Sequence, residues 1–181
     1  YALLGVMPLL LGGLCLALAF LYSWRMARLK SMPVADLISH SLSLAGLQFL
    51  CAYFAYDQGQ PYGWLLFLSL VFFSIYGELN NELRDIVVDQ KAGINHTANA
   101  VGIKWTKVLM VLCLIAGFGV MFAFIVAGAS PLWLFLVPLI VGPMLMADQI
   151  WKLVRHKSNL VEDREAIHEP FVLLGLLTVV V

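Results

Sequence analysis

Four carboxylates between Glu78 and Asp89 are the residues of this chain whose types and spacing point most directly to chemistry. They are Glu78, Glu82, Asp85 and Asp89, at positions i, i+4, i+7 and i+11. A helix advances about 100° per residue, so all four fall within an arc of roughly 60°, with Asn81 at its edge. Such an acidic stripe predicts that a cation meets it from outside the helix.

The residues around the stripe make this interpretation more specific. Arg84 is the nearest base on the same helix, and its position places it on the side opposite the acids. Ion pairs between positions i and i+4 therefore do not explain the stripe. Lys91 follows two residues after Asp89, and Gly93 can end the helix with a left-handed cap. The order D-x-x-x-D-x-K-A-G is far more specific than a glycine cap alone.

Carboxylates surrounded by basic residues favour Mg²⁺ and a phosphorylated substrate. Mg²⁺ is usually held by one or two carboxylates together with substrate phosphates, and it neutralises the charge that develops on a diphosphate leaving group. Arg28 and Lys30 suit a clamp on phosphate oxygens. They follow Tyr22 and Trp24, for which an aromatic belt at the membrane interface is the simpler explanation. The residues thus predict an enzyme that acts on a lipid diphosphate.

The elements that must position these residues are long and apolar. The chain of 181 residues is 62% hydrophobic and 12% charged, with a mean hydropathy of +0.91, which is far more apolar than a soluble domain. Segments of about 20 apolar residues cross a membrane as helices. We therefore predict an all-α, polytopic transmembrane helical bundle that forms one domain over residues 1–181. Its six segments are Tyr1–Ser23, Asp36–Tyr56, Tyr62–Leu79, Thr106–Ala127, Pro131–Trp151 and the shorter Phe171–Val181.

The basic residues predict the orientation in the membrane. All 11 Lys and Arg residues lie in or beside alternate connections, and the connections at 57–61 and 128–130 have none. By the positive-inside rule the basic connections face the cytoplasm, which puts the acidic stripe on the same side. We expect an integral membrane protein of the bacterial inner membrane, or of an organelle membrane with the same polarity.

Other polar or small residues within the segments are interpreted as structural. Asp36 can cap the start of the second segment, and His40, one turn further on, is expected to be a satisfied core histidine. In the fourth segment, Gly117 and Gly119 permit close helix packing.

The acidic motif resembles the second aspartate-rich motif of the UbiA superfamily of intramembrane prenyltransferases. That motif is similar to N-x-x-x-D-x-x-x-D followed by a basic residue, Ala, Gly and a Thr. The family also has a Tyr and basic residues after an earlier helix, similar to the stretch from Tyr22 to Lys30. With all six segments in order, the chain resembles helices four to nine of a nine-helix bundle. The matching motif residues are Asn81, Asp85, Asp89, Lys91, Ala92, Gly93 and Thr97.

The resemblance implies a reaction and a role for each residue. A prenyl diphosphate would bind through Mg²⁺, ionise to an allylic cation, and pass its prenyl group to a lipophilic acceptor, typically an aromatic ring, as in quinone or related isoprenoid biosynthesis. Tyr22 would stabilise the cation through its ring face. The implied catalytic residues are Asp85, Asp89, Lys91 and Tyr22; the implied Mg²⁺ ligands are Asp85 and Asp89, supported by Asn81 and Glu82; the implied diphosphate-binding residues are Arg28, Lys30 and Lys91.

The first aspartate-rich motif of that family is absent from this chain. We expect it upstream of Tyr1, because the sequence begins without an initiator Met inside an apolar run and the last segment stops at Val181 without a polar flank. The chain is therefore expected to be a piece of a larger protein and inactive by itself. The tripeptide Asn95-His96-Thr97 departs from the Thr-rich version common in the family without removing a metal ligand.

Three other interpretations stay open. CDP-alcohol phosphotransferases also use D-x-x-x-D in a membrane, but they need a Gly where this chain has Asn81. A cation transporter would carry its carboxylates near the bilayer midplane on broken helices. A solvated acidic helix end explains the charge but not the shared face of the four acids. Membrane lipids are the expected surroundings, and no nucleic-acid partner is predicted.

Overall fold

The structure is a computed structural model that describes residues 4–56 and 62–128, together with single positions further on. The chain forms two compact units, Tyr1–Ala127 and Gly128–Val181, and every helix named below belongs to the first. Regular structure in the described residues is entirely helical, so the predicted all-α bundle is confirmed. The prediction of one domain over residues 1–181 stays a prediction. The described single positions are Leu132, Trp133, Leu136 and Ile140.

Four helices in the described part of the chain are long and apolar enough to cross a membrane. A fifth, very short helix lies between the last two of them. The helices are α1 (Val6–Ser23), α2 (Ala35–Tyr56), α3 (Gly63–Lys91), the short α4 (Thr97–Val101) and α5 (Ile103–Val126).

These bounds confirm the first four predicted apolar segments to within a few residues, except that α3 continues well past Leu79. Large apolar side chains such as Val6, Leu16 and Val126 are exposed on the outside of the bundle, as expected for helices that meet lipid. The predicted fifth segment, apart from the four single positions, and the predicted sixth segment lie outside the described residues.

The second helix contributes much of the apolar core. Leu47 and Leu50 are buried there, and its middle, Leu42–Gly46, widens into a π turn. Gly46 allows α2 to approach α3 closely, because a Cβ at this position would lie 2.6 Å from a ring carbon of Phe67. The tight contact fixes α2 against the helix that carries the acids.

The third helix is longer than a membrane requires. Its 29 residues span roughly 43 Å, compared with a hydrocarbon core of about 30 Å. The acidic stripe lies in its C-terminal half, as an unbroken continuation of the apolar part. A single rigid helix therefore carries the acids from the bundle core to beyond the apolar segment.

Helices α3 and α5 pack closely along much of their length. Ser69 Oγ donates to Gly117 O at 2.9 Å, and a Cβ at Gly117 would lie 2.8 Å from the Phe73 ring. The prediction of a close-packing glycine is confirmed at Gly117, whereas a Cβ at Gly119 would meet nothing within 4 Å among the described residues. The reason is that Gly119 lies off the face that α5 turns toward α3.

A glycine turn reverses the chain after α3. Gly93 has a φ of 68°, and Ile94 N donates to Asp89 O at 2.9 Å, which is the bond pattern of a Schellman cap. The predicted left-handed cap is thus confirmed. The turn carries the residues after it back toward the acidic end of α3, where α4 begins.

Candidate active site

A cavity of about 220 Å³ lies at the acidic end of α3. It collects six of the eight predicted site residues and three that were not predicted as site residues. Arg28 and Lys91 are exposed and do not belong to its walls. The lining residues are Tyr22, Lys30, Glu78, Asn81, Glu82, Asp85, Asp89, Ile94 and His96.

The two acids nearest the helix end, Asp85 and Asp89, are the more accessible ones, and we call them the outer acids. Their side chains are 51% and 24% exposed. Arg84 Nε lies 3.4 Å from Asp85 Oδ1, so the prediction that Arg84 points away from the stripe is wrong, because its long side chain reaches back to the adjacent residue. In solvent such an exposed pair contributes little, and Asp85 stays accessible to another cation.

The two acids closer to the bundle core, Glu78 and Glu82, are buried, and we call them the inner acids. Glu78 holds three helices together: Tyr22 Oη of α1 donates to its Oε1 at 3.0 Å, and His40 Nε2 of α2 lies 3.2 Å from its Oε2. His40 is half-buried and paired through Nε2, whereas its Nδ1 has no hydrogen-bond partner among the described residues. The expectation of a satisfied histidine therefore holds for only one of its two ring nitrogens.

Glu82 has one oxygen engaged and one without a partner. Its Oε2 accepts a hydrogen bond from Ala98 N of α4 at 2.8 Å. Its Oε1 is buried and has no hydrogen-bond partner among the described residues. A buried carboxyl oxygen without a donor is costly.

Asp36 caps α4, and its Oδ1 also accepts from Leu37 N in the first turn of its own helix at 2.7 Å, although it is not the N-cap residue of that helix. It is buried in the first turn of α2, where its Oδ2 accepts from Thr97 N and its Oδ1 from Thr97 Oγ1, both at 2.6 Å. Val34 N also donates to Thr97 Oγ1, at 2.7 Å. A helix of five residues is not stable by itself, so these bonds fix α4 against the start of α2.

His96 links α4 to both kinds of acid. It is only 3% exposed, and its Nε2 lies 3.3 Å from Asp89 Oδ2 while its Nδ1 lies 3.3 Å from Glu82 Oε2. As the N-cap residue of α4, it also accepts from Asn99 N through Nδ1 at 3.3 Å. One buried ring thereby contacts an inner acid, an outer acid and the first turn of a helix.

The two predicted phosphate-binding residues of the α1–α2 connection differ in position. Lys30 lies in a 3-10 turn, Leu29–Ser31, and lines the cavity. Arg28, just before this turn, adopts a left-handed conformation with a φ of 42°, and its side chain is exposed. The structure therefore brings Lys30 to the acids, while Arg28 lies outside the cavity wall.

The outer end of the cavity fits Mg²⁺ held together with substrate phosphates. In the part of the chain that the structure describes, no three His, Cys, Asp or Glu side chains converge as a closed metal cage. Mg²⁺ does not need such a cage, since it is usually bound by one or two carboxylates, phosphate oxygens and water. Asp85 and Asp89 lie one helical turn apart on the cavity wall, and Glu82 lines the same cavity.

Sequence reasoning missed His96 and Ile94 as cavity residues and did not assign Glu78 a place in the site. The signal for Glu78 was present, because it shares the stripe with the other acids. The signal for the other two was the glycine turn at Gly93, which returns the chain to the end of α3. How closely the returning chain approaches α3, and therefore whether His96 contacts Asp89, is seen only in the folded structure.

Comparison with known proteins assigns the family. No curated protein and no solved structure matches the chain. The model of the UbiA prenyltransferase family matches residues 1–166, which include α1 to α5, the acidic motif and every residue of the cavity. The resemblance to this family is thus confirmed over most of the 181 residues. The chain belongs to the UbiA prenyltransferase family, whose members are integral membrane enzymes that transfer prenyl groups.

Proposed function

We propose that this protein uses Mg²⁺ to transfer a prenyl group from a prenyl diphosphate to a lipophilic, aromatic acceptor, as in quinone or related isoprenoid biosynthesis. One observation carries the proposal: Asp85, Asp89 and Lys30 line one cavity at the end of a helix long enough to cross the membrane. We place the protein in a bacterial inner membrane with this cavity on the cytoplasmic side. The distribution of Lys and Arg in the sequence supports that orientation.

The outer acids are the residues proposed to bind Mg²⁺. Asp85 and Asp89 offer accessible carboxylates one turn apart, and Asn81 and Glu82 on the same cavity wall support them. When bound, the metal neutralises the charge of the departing diphosphate. These side chains would hold the metal at the end of the apolar bundle.

The basic residues and Tyr22 complete the proposed site. Lys30, on the cavity wall, binds the diphosphate as a point charge, whereas the exposed Arg28 and Lys91 attract it at the rim. The Tyr22 ring lines the cavity, and its hydroxyl is fixed by Glu78 at 3.0 Å. An aromatic ring held in this way stabilises an allylic cation through its π face.

The test follows diphosphate release from a labelled prenyl diphosphate by the full-length protein, purified and placed in nanodiscs. Wild type is expected to require Mg²⁺, to stop when a chelator is added, and to recover when Mg²⁺ is returned. Asp85→Asn and Asp89→Asn should each slow release by at least about 100-fold, because each removes a carboxylate from the metal. The matched control is Gln90→Ala, an exposed residue of the same turn, which should behave as wild type.

Two sets of results would contradict the proposed function. Release that continues without divalent metal, or that survives in both Asn variants, contradicts the proposal. Absence of release from wild type across prenyl chain lengths and acceptors, combined with cation flux in liposomes, would favour a transporter that uses the same acids.

A further inference from the structure

We propose that His96 is a positioning residue that holds the Asp89 carboxylate in the orientation in which it binds the cation. The inference rests on the proposed function, because it concerns the same cavity. His96 contacts the Asp89 carboxylate, and in this proposal it acts through Asp89.

The geometry at the ring assigns the hydrogen. Asn99 N donates to His96 Nδ1 at 3.3 Å, which makes Nδ1 the acceptor of the helix cap. The ring hydrogen is then on Nε2, which lies 3.3 Å from Asp89 Oδ2. A neutral imidazole in this tautomer satisfies the cap with one nitrogen and donates to the outer acid with the other.

The other tautomer leaves the outer acid without this donor. Its hydrogen on Nδ1 would be donated to Glu82 Oε2, 3.3 Å away, and Nε2 would accept from Asn99 Nδ2 at 3.2 Å. Each tautomer leaves one lone pair against a carboxylate, Nε2 against Asp89 in this one and Nδ1 against Glu82 Oε2 in the other. The tautomer that keeps the backbone N-cap bond from Asn99 N is the one that donates to Asp89.

Asp89 has reason to need an external anchor. It lies in the last turn of α3, two residues before the helix ends, and its side chain is 24% exposed. A carboxylate in this position has several accessible rotamers, whereas His96 is buried and fixed by α4. Carboxylates that bind metals are commonly held by hydrogen bonds from neighbouring groups, and loss of such a group typically weakens metal binding 10–100-fold.

Two substitutions separate the cap from the contact with Asp89. His96→Asn keeps a good N-cap, because Asn is among the strongest capping residues, but its shorter side chain does not reach Asp89. His96→Gln places an amide N–H near the position of Nε2 but caps poorly. Asn95→Ala is the matched control, since Asn95 is the exposed neighbour in the same turn.

The measurement uses Mn²⁺ as a spectroscopic substitute for Mg²⁺ and inorganic diphosphate as the phosphate ligand. The free Mn²⁺ signal in electron paramagnetic resonance gives the dissociation constant, and thermal unfolding of the same samples gives Tm. We expect His96→Asn to bind Mn²⁺ about tenfold more weakly with a Tm close to wild type. His96→Gln should bind Mn²⁺ within about threefold of wild type but unfold at a lower temperature, and Asn95→Ala should match wild type in both measurements.

Equal Mn²⁺ affinity in His96→Asn and wild type overturns the proposal, and so does an equal loss of affinity in the Asn and Gln variants, which would indicate a purely structural histidine. If His96→Asn does not fold, the Gln variant alone decides: wild-type affinity supports the proposal and tenfold weaker binding overturns it. The two proposals can fail separately. If wild type binds Mn²⁺ and releases diphosphate but the variants do not behave as expected, only the positioning of Asp89 by His96 is refuted. A wild type that binds no Mn²⁺ refutes the proposed function itself.

Discussion

The inner and outer halves of the acidic stripe have the same kind of side chain on the same face of α3, yet they meet very different surroundings. The inner acids, Glu78 and Glu82, are buried and receive hydrogen bonds from α1 and α4. The outer acids, Asp85 and Asp89, are partly exposed and border the open cavity. The position of each acid along the helix therefore decides its surroundings. The inner acids hold the bundle together, and the outer acids border the open cavity.

The difference shows why a stripe of acids is not by itself a metal site. A carboxylate surrounded by protein donors has little capacity left for a cation, and a buried one must be satisfied by its neighbours. Glu82 stands between the two halves, because one of its oxygens is bonded to α4 and the other is unpartnered. Substitutions at different depths should consequently change different measured properties.

The largest effect on stability is expected at Asp36, which behaves as an inner acid on a different helix. Asp36→Ala leaves both Thr97 N and Thr97 Oγ1 without their acceptor, and we expect a loss of about 3 kcal/mol in the free energy of unfolding. Thr97→Val is the milder comparison, because it keeps the backbone bond and loses the hydroxyl. SDS titration of the protein in mixed micelles measures both. An Asp36→Ala protein as stable as Thr97→Val would show that Asp36 does not hold α4.

Glu82 provides the most direct contrast with the outer acids. Glu82→Ala leaves the buried Ala98 N unpaired, which should lower the free energy of unfolding by about 1–3 kcal/mol. Glu82→Gln retains an amide oxygen for that bond and should stay near wild type. Asp85→Asn is the outer counterpart: we expect unchanged stability and lost diphosphate release. If Asp85→Asn destabilises the protein as much as Glu82→Ala, the division of the stripe by depth is wrong.

Two substitutions at Tyr22 distinguish the contribution of its hydrogen bond to an inner acid from the contribution of its aromatic ring. Tyr22→Phe removes the donor to Glu78 and should lower the free energy of unfolding by about 1 kcal/mol, with a small change in kcat because the ring is kept. Tyr22→Leu should lower kcat much further, since it also removes the π face. Steady-state kinetics with one prenyl diphosphate compares the two variants, and equal kcat values in them would exclude a contribution from the ring.

The smallest effect is expected at Lys91, which is exposed and outside the cavity wall. Lys91→Gln should raise KM for the prenyl diphosphate by about threefold and leave kcat unchanged, because a solvated charge contributes little and is screened by salt. Lys30→Gln, in the cavity, should raise KM by at least about tenfold. KM values at low and high ionic strength provide the comparison. A larger increase in KM for Lys91→Gln than for Lys30→Gln would indicate that the diphosphate binds at the rim and not inside the cavity.

Much of the fold was predictable from the sequence, because apolar segments of membrane length and the acidic helical spacing are local signals. The bounds of α1, α2 and α5 and the Gly93 cap all follow from such signals. The short helix Thr97–Val101 was not predicted. Five residues are too few to show helical periodicity, and His96 is not among the preferred N-cap residues.

The site was predictable in composition but not in arrangement. The acids and Lys30 were identified because charge and spacing are visible in the sequence, and Tyr22 was identified through the resemblance to the family. Asp36 caps α4 and is not the N-cap residue of its own helix. This contact depends on how closely α2 and α4 approach. The contact of His96 with Asp89 likewise depends on the return path of the chain after Gly93. Such long-range pairings are products of packing and leave no pattern in local sequence.

Metal-directed cleavage tests most directly whether the outer acids hold the cation. Fe²⁺ substituted for Mg²⁺, with inorganic diphosphate, ascorbate and peroxide, generates radicals that cut the backbone next to the bound metal, and mass spectrometry locates the cuts. We predict cuts within residues 81–96 that disappear with excess Mg²⁺ and in an Asp85→Asn, Asp89→Asn double variant, but persist in Gln90→Ala. Cuts elsewhere in the chain, or cuts at 81–96 that survive the double variant, would contradict the account.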